Sequence, residues 1–273
     1  MKKKRAKQLA CIGSGKMGEA LVRGLLGSGA FRPDQIRAAD RDPARCTAME
    51  KACGVSTFRD NREAVRGADL VLLAVKPQDM ETALSEVGET LGSEAVVMSI
   101  AAGVTTNWIR QRLAGHAKVV RAMPNAAAWV CKSTTALYFC PGIGEQEREE
   151  IQEIFGTVGA CVVVETEDHL DIVTGLSGSG PAYVFLLMES LAEAGVTLGL
   201  SRPVAVELAL HTVLGSAHLA LESGKPFAAL REMISSPGGT TLAGLKVLEE
   251  GAFRALFLRA VEAATRRSRE LAR

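Results

Sequence analysis

The stretch Leu9-Ala10-Cys11-Ile12-Gly13-Ser14-Gly15-Lys16-Met17-Gly18, continued by Glu19-Ala20-Leu21-Val22-Arg23-Gly24-Leu25-Leu26, decides the fold. Its first four residues are an apolar run of strand length. Its last eight carry apolar residues at helical spacing. Between them stands Gly-x-Gly-x-x-Gly, a pattern that is weak alone because glycine is common. Here it has the context it requires, a strand before and a helix after. Gly13 permits a sharp turn, Gly15 lets a pyrophosphate approach the backbone, and Gly18 lets helix and strand pack closely. The helix start offers unpaired N–H groups and a positive dipole end to phosphates. A plain strand-turn-helix with incidental glycines is the competing interpretation, and the context weighs against it.

Working outward, strands and helices alternate up to residue 165. Gln35 to Asp40 reads as a second strand, ending about twenty residues after the glycine turn, where a ribose-reading residue belongs. Asp40 there accepts from a 2′-hydroxyl, whereas Arg41 beside it suits a 2′-phosphate, so the two pull in opposite directions. A helix over 43–52, a strand at 55–57 and a helical turn from Asn61 to Gly67 follow. Ala68 to Val75 is nearly continuous in apolar residues, as buried parallel strands are. It ends in Lys76-Pro77, at the strand end where ligands of open α/β sheets sit. A helix over 79–91 and a strand over 95–100 lead to Ala101-Ala102-Gly103. Thr105 caps a helix to Leu113, and strands follow at 118–123, 134–140 and 161–164, with a charged helix over 145–155. This alternation predicts a Rossmann-type doubly wound sheet.

After Glu165 the strand signals stop. Helices are expected at 169–176, 182–200, 203–222, 228–234, 241–250 and 253–271, punctuated by Leu176 to Pro181 and Ser235 to Gly239. The composition shift predicts two domains, 1–166 for the dinucleotide and an all-helical 167–273.

Composition narrows the class. The chain has 273 residues, 47% hydrophobic, enough for a sizeable core. A net charge of +1 gives no reason to expect nucleic acid or an anionic membrane as partner. The basic stretch Met1 to Lys7 lacks a following apolar segment and reads as a solvated tail. No uninterrupted apolar stretch is long enough to span a bilayer; the best, Ala182 to Leu200, carries Glu189 and Glu193. Six cysteines form no Cys-x-x-Cys pair and have no histidine at ligand spacing, which predicts a reducing cytoplasm and no metal. Cys11 and Cys161 read as core thiols. His116, His169, His211 and His218 have no paired carboxylate and read as bland.

The chain resembles the pyrroline-5-carboxylate reductases. The resemblance rests on Ile12 to Gly18, Ala74-Val75-Lys76-Pro77, Ser99 to Gly103, Arg121-Ala122-Met123-Pro124-Asn125, Gly178 to Tyr183 and Ser236-Pro237-Gly238-Gly239-Thr240-Thr241, in the family's order over nearly the whole chain. It implies NAD(P)H-dependent reduction of L-1-pyrroline-5-carboxylate to L-proline, the last step of proline biosynthesis, with NADPH preferred and NADH tolerated. It implies a helical second domain that interlocks two subunits into a homodimer, assembled further into a decamer of five dimers. Ile12, Gly13, Ser14, Gly15, Lys16, Met17 and Gly18 then cradle the cofactor with Asp40 and Arg41. By the same resemblance Lys76 stands near the cofactor, Asn61 touches its adenosine end, and Ala74, Ala101 and Ala102 pass the nicotinamide by backbone contact. The substrate carboxylate needs anion donors, and Ser236 to Thr241 precedes a helix start rich in small residues. Ser236, Gly239, Thr240 and Thr241 are the expected substrate contacts, and the segment at Gly178 to Pro181 is expected to line the pocket. One departure is Ala127, where the family usually has proline.

Two rival functions remain from the residues. A β-hydroxyacid dehydrogenase usually carries Lys and Asn four apart on one helix, but the second domain has only Lys225 and Lys246 and no asparagine follows Asn125. A dinucleotide-binding sensor without turnover is the other.

Overall fold

The computed structural model describes residues 7–116 and 118–271. Residues 1–6 of the expected basic tail lie outside the described residues. Chain packing divides the molecule into two units, one of residues 1–179 with 263–273 and one of residues 180–262.

The first unit alternates strand and helix. Its elements run β1 (Leu9–Ile12), α1 (Lys16–Gly27), β2 (Ile36–Ala39), α2 (Pro43–Cys53), β3 (Ser56–Phe58), α3 (Asn61–Val65), β4 (Leu70–Leu73), α4 (Met80–Gly88), β5 (Val96–Ser99), α5 (Thr106–Arg112), β6 (Val119–Met123), β7 (Ser133–Phe139), α6 (Glu145–Gly156), β8 (Gly159–Val163) and α7 (His169–Val173). The strands form one sheet in the order β3-β2-β1-β4-β5-β6-β7-β8. The order reverses between β1 and β4, so their C-terminal ends open a crevice at the switch point. Leu9 pairs with Ile36 on one side and Leu70 on the other, in parallel register.

Local chemistry explains where elements stop. Asp42 caps α2 by accepting from the Ala44 N–H, and Pro43 opens the helix. Thr105 accepts from the Trp108 N–H at 3.2 Å, as its position before the helix suggests. Leu9, Ile12, Leu70, Leu73 and Met98 of the sheet and Leu21, Leu25, Met80 and Leu84 of the helices are fully buried. Each such side chain contributes roughly 1.5–3 kcal/mol relative to exposure.

Two features depart from the alternation. β7 runs antiparallel to β6, because the link over 124–132 is short and holds only a 3₁₀ turn at Ala126–Val130 instead of a crossover helix. The Leu176–Pro181 punctuation does not break the helix. Thr174–Gly178 forms a π-type turn, and the helical path continues from α7 into α8 (Gly180–Thr197).

Residues 167–179 pack with the sheet through a buried polar network. Arg121 on β6 is 3% exposed. Its guanidinium meets Glu167 at 3.2 Å and Asp171 at 3.9 Å. Glu167 in turn accepts from the Thr106 N–H and hydroxyl, both at 2.7 Å. The Ser268 hydroxyl donates to Asp171 at 2.6 Å. Removing one partner of such a pair strands a buried charge and costs about 3–5 kcal/mol. The packing division at 179/180 therefore differs from the compositional shift at 166/167.

The second unit holds α8, α9 (Arg202–Ser223), α10 (Phe227–Met233), α11 (Thr240–Glu250) and the first part of α12 (Phe253–Leu271). Its buried centre is small: Ala192, Ala205 and Ala209, with Val196 against them. A methyl on Gly195 would stand 3.2 Å from the Ala205 side chain, so α8 and α9 meet closely on small residues. Their other faces are apolar and uncovered, with Phe185 65%, Leu186 63% and Leu208 54% exposed. By length and mean hydropathy, His169–Thr197 and Arg202–Ser223 pass as membrane spans, at 1.3 and 1.5, although Glu189, Glu193 and Glu207 interrupt them.

Apolar helix faces of this extent need cover. A self-complementary two-fold contact with a second copy of the chain is the kind of surface that would cover them. Sedimentation at low micromolar protein is expected to show a dimer or a multiple of it. A folded, active species with the mass of one chain would contradict this.

Candidate functional site

The glycine turn is built by contacts that leave no room for side chains. Gly13 has φ of +102°, a left-handed value, and a Cβ there would lie 2.8 Å from the Ala74 carbonyl carbon. A Cβ on Gly18 would lie 2.2 Å from the Gly13 carbonyl oxygen. Gly15 differs. Its Cβ would meet only the Arg45 guanidinium, at 4.0 Å, and would point into open space. That space is the crevice at the switch point, a cleft of about 750 Å³.

Most of the expected cofactor residues line this cleft. Gly13, Gly15, Lys16 and Met17 come from the first turn, and Asp40 and Arg41 from the end of β2. Asn61 comes from the start of α3, Ala74 and Lys76 follow β4, and Ala101 and Ala102 follow β5. Ile12, Ser14 and Gly18 are buried behind the lining.

Asp40 ties the turn together. One carboxylate oxygen accepts from the Ser14 N–H at 2.9 Å, and the other from the Asp42 N–H at 3.0 Å. The carboxylate thus fixes the glycine turn against the end of β2. Arg45 stands 3.7 Å from it. Arg41 points to α4, where its guanidinium pairs with Glu86 at 2.7 Å.

Three observations fit a dinucleotide here. The Ser14 hydroxyl is buried and has no hydrogen-bond partner. No side chain caps the start of α1. The space over Gly15 is what a pyrophosphate needs at a helix N-terminus. Cys11 lies under the same turn, its thiol 3.6 Å from the Gly13 carbonyl. Burial pushes that thiol up to about 12, with the charges of Cys53 and Asp40 adding to it, so it stays neutral beneath the anion site at physiological pH.

The expected substrate contacts lie together on the second unit, at the start of α11. Gly239 is its N-cap and no side chain caps it. The Gly239 N–H donates to the Ser236 carbonyl at 2.9 Å, which closes the turn, and Gly238 has φ of +70°. Thr241 is half-buried, while Ser236 and Thr240 are exposed. The arrangement leaves helix N–H groups available to an anion.

Ala127 replaces a ring with a bond. Its N–H donates to the Asn125 side chain at 3.1 Å, a donor that proline lacks. Asn125 also donates to the Ser177 hydroxyl at 3.2 Å. The histidines are away from the cleft lining; the His116 ring meets the Ala95 carbonyl at 2.6 Å. Sequence reasoning passed over Arg45 and Glu86. Arg45 stands in the first turn of α2, four residues after Arg41 in the chain. Glu86 carries no sequence signal.

The chain is similar to known proteins over nearly its whole length. Residues 167–271 match a family described as pyrroline-5-carboxylate reductase dimerisation, and residues 8–103 one described as NADP oxidoreductase, coenzyme F420-dependent. A pyrroline-5-carboxylate reductase of Arabidopsis thaliana is 40% identical over 95% of this chain and 94% of its own. The solved structure of one from Coxiella burnetii has 38% identity and a TM-score of 0.92, covering 98% of this chain and 99% of the other. A Plasmodium falciparum pyrroline carboxylate reductase with NADP bound has 29% identity and a TM-score of 0.87, covering 99% and 100%.

Two glycine substitutions separate folding from binding. Gly15→Ala is expected to change stability by less than about 1 kcal/mol, since its methyl meets no protein atom closely. Its dinucleotide affinity should fall about tenfold or more, because the methyl takes pyrophosphate space. Gly18→Ala should instead destabilise the fold by about 3 kcal/mol. Thermal melts and equilibrium titrations with NADPH check both; unchanged affinity in Gly15→Ala would remove the pyrophosphate from this turn.

Proposed function

The chain belongs to the pyrroline-5-carboxylate reductase family, and on that premise we propose how its residues divide the work. It is an NAD(P)H-dependent oxidoreductase that reduces L-1-pyrroline-5-carboxylate to L-proline, the last step of proline biosynthesis. When bound, the reduced nicotinamide supplies the hydride that the imine carbon receives.

The observation that carries the division is the glycine turn, with its open face at Gly15 and its orphaned Ser14 hydroxyl. We assign the pyrophosphate to Gly13, Ser14, Gly15, Lys16 and Met17, with Ile12 and Gly18 setting the backbone behind them. Asp40 fixes the turn, and we assign Arg41 to the 2′-phosphate and Asn61 to the adenosine end. Ala74, Ala101 and Ala102, with Lys76, bound the nicotinamide end. NADPH is then preferred and NADH tolerated, because a bidentate guanidinium recognises phosphate better than hydroxyl.

The substrate carboxylate is assigned to Ser236, Gly239, Thr240 and Thr241, whose uncapped helix start offers N–H groups and hydroxyls. No histidine lines the cofactor cleft. A cyclic imine can bind from solution already protonated at nitrogen, so no strong protein acid is needed and the chain's task is to orient the nicotinamide against the imine carbon. Residues 1–166 thus hold the dinucleotide and residues 167–273 the substrate and the subunit contact.

The chain forms homo-oligomers through its helical region. We propose a homodimer as the unit, assembled into a decamer of five dimers. The uncovered faces of α8 and α9 support the dimer. Six free cysteines support a reducing, cytoplasmic setting.

Thr241→Ala tests the carboxylate assignment. It should cost on the order of 1–3 kcal/mol in kcat/KM for the substrate, as a hydrogen bond to a charged group does. NADPH affinity by titration should change little. Normal substrate kinetics would move the anion site away from α11.

A further inference from the structure

Glu86 on α4 is half-buried and makes two short contacts, both to residues of the cofactor cleft. One carboxylate oxygen pairs with the Arg41 guanidinium at 2.7 Å. The other accepts from the Asn61 side-chain amide at 2.7 Å. Arg41 is therefore held sideways, toward α4. The pair is not needed to join α3 to α4. Arg62 on α3 already binds Glu89 at 2.7 and 3.0 Å, and the Asn61 contact alone links Glu86 to the same helix.

Charged groups of both signs line the cleft: Asp40, Asp42 and Asp79, and Lys16, Arg41, Arg45 and Lys76. Arg45 is already near two carboxylates, 3.7 Å from Asp40 and 3.7 Å from Asp42. An arriving 2′-phosphate draws on the same guanidinium groups, and a fork that grips phosphate must turn two N–H groups toward it. Glu86 holds one edge of the Arg41 fork. A 2′-hydroxyl makes no such demand and leaves the pair intact.

We infer that Glu86 is a specificity-determining residue for the dinucleotide, an internal competitor whose hold on Arg41 lowers the preference for the 2′-phosphorylated cofactor over the unphosphorylated one. The inference rests on Arg41 facing the 2′-phosphate. The Arg41 side chain is 58% exposed. An ion pair this exposed is weak, so it yields to a phosphate and grades affinity without blocking it.

The experiment is equilibrium binding of NADPH and of NADH to the full-length protein, followed by nicotinamide fluorescence without substrate. Glu86→Gln keeps an oxygen for the Asn61 amide and removes the charge. It should tighten NADPH about two- to fivefold and move NADH less than about 1.5-fold. Equal changes for both, or weaker NADPH, would overturn the inference and make Glu86 a support for Arg41 and Asn61. Glu86→Ala gives an independent second variant with the same expected direction for NADPH relative to NADH. Arg41→Ala tests the underlying reading separately. It should weaken NADPH about tenfold and NADH far less, and equal effects would remove Arg41 from the phosphate site. In the Arg41→Ala background Glu86→Gln should gain nothing. A gain that persists there would mean direct repulsion of the phosphate by Glu86 and would overturn competition for Arg41.

Discussion

The carbonyl of Gly13 occupies the place where a side chain on residue 18 would stand. That contact brings the first turn of α1 hard against the end of β1, and much of the cofactor cleft depends on it. It aims the helix start at the switch point of the sheet, where β1 and β4 part. It leaves Gly15 as the glycine of the turn whose missing side chain would point into the cleft and not into the protein. Asp40 completes the arrangement from the next strand. Its carboxylate takes the Ser14 N–H, so the turn is held from the end of β2 as well as from within.

The two units solve the problem of burial differently. In the first unit the central strands β1, β4 and β5 are buried along their whole length, while the edge strand β8 leaves Val162 and Val163 about half exposed. The helices of the second unit meet on alanines and a glycine, a close but thin contact. Close backbone approach on small residues gives good packing and little apolar area, so the large side chains of α8 and α9 are left facing outward. An apolar surface of that kind is unsuited to a lone chain in water and suited to a shared interface. The same composition makes these helices resemble membrane spans by length and mean hydropathy.

Much of this was legible because the signals are local. A strand, three spaced glycines and an amphipathic helix lie within eighteen residues, and the following strands announce themselves as apolar runs. Thr105 as a cap was readable from one residue type before one helix. What escaped depends on pairs distant in the chain. The antiparallel course of β7 follows from the absence of a crossover helix after Pro124, a fact about length and topology. The π-type turn at Thr174–Gly178 keeps the backbone helical through a stretch whose glycines and serines read as a break. Residues 167–179 side with the sheet because Arg121, some fifty residues earlier, needs Glu167 and Asp171. Glu86 is one glutamate among many on a surface helix until Arg41 and Asn61 are seen against it. Most of the residues that line the cleft were therefore nameable in advance, and Glu86, which holds Arg41 and Asn61, was not.

The most direct measurement follows the absorbance of NADPH after adding L-1-pyrroline-5-carboxylate to the purified protein, with the product identified in the same sample. Reduction of the imine predicts loss of one NADPH for each L-proline formed. NADPH that binds and is not consumed would contradict the account and leave a dinucleotide-binding sensor in its place.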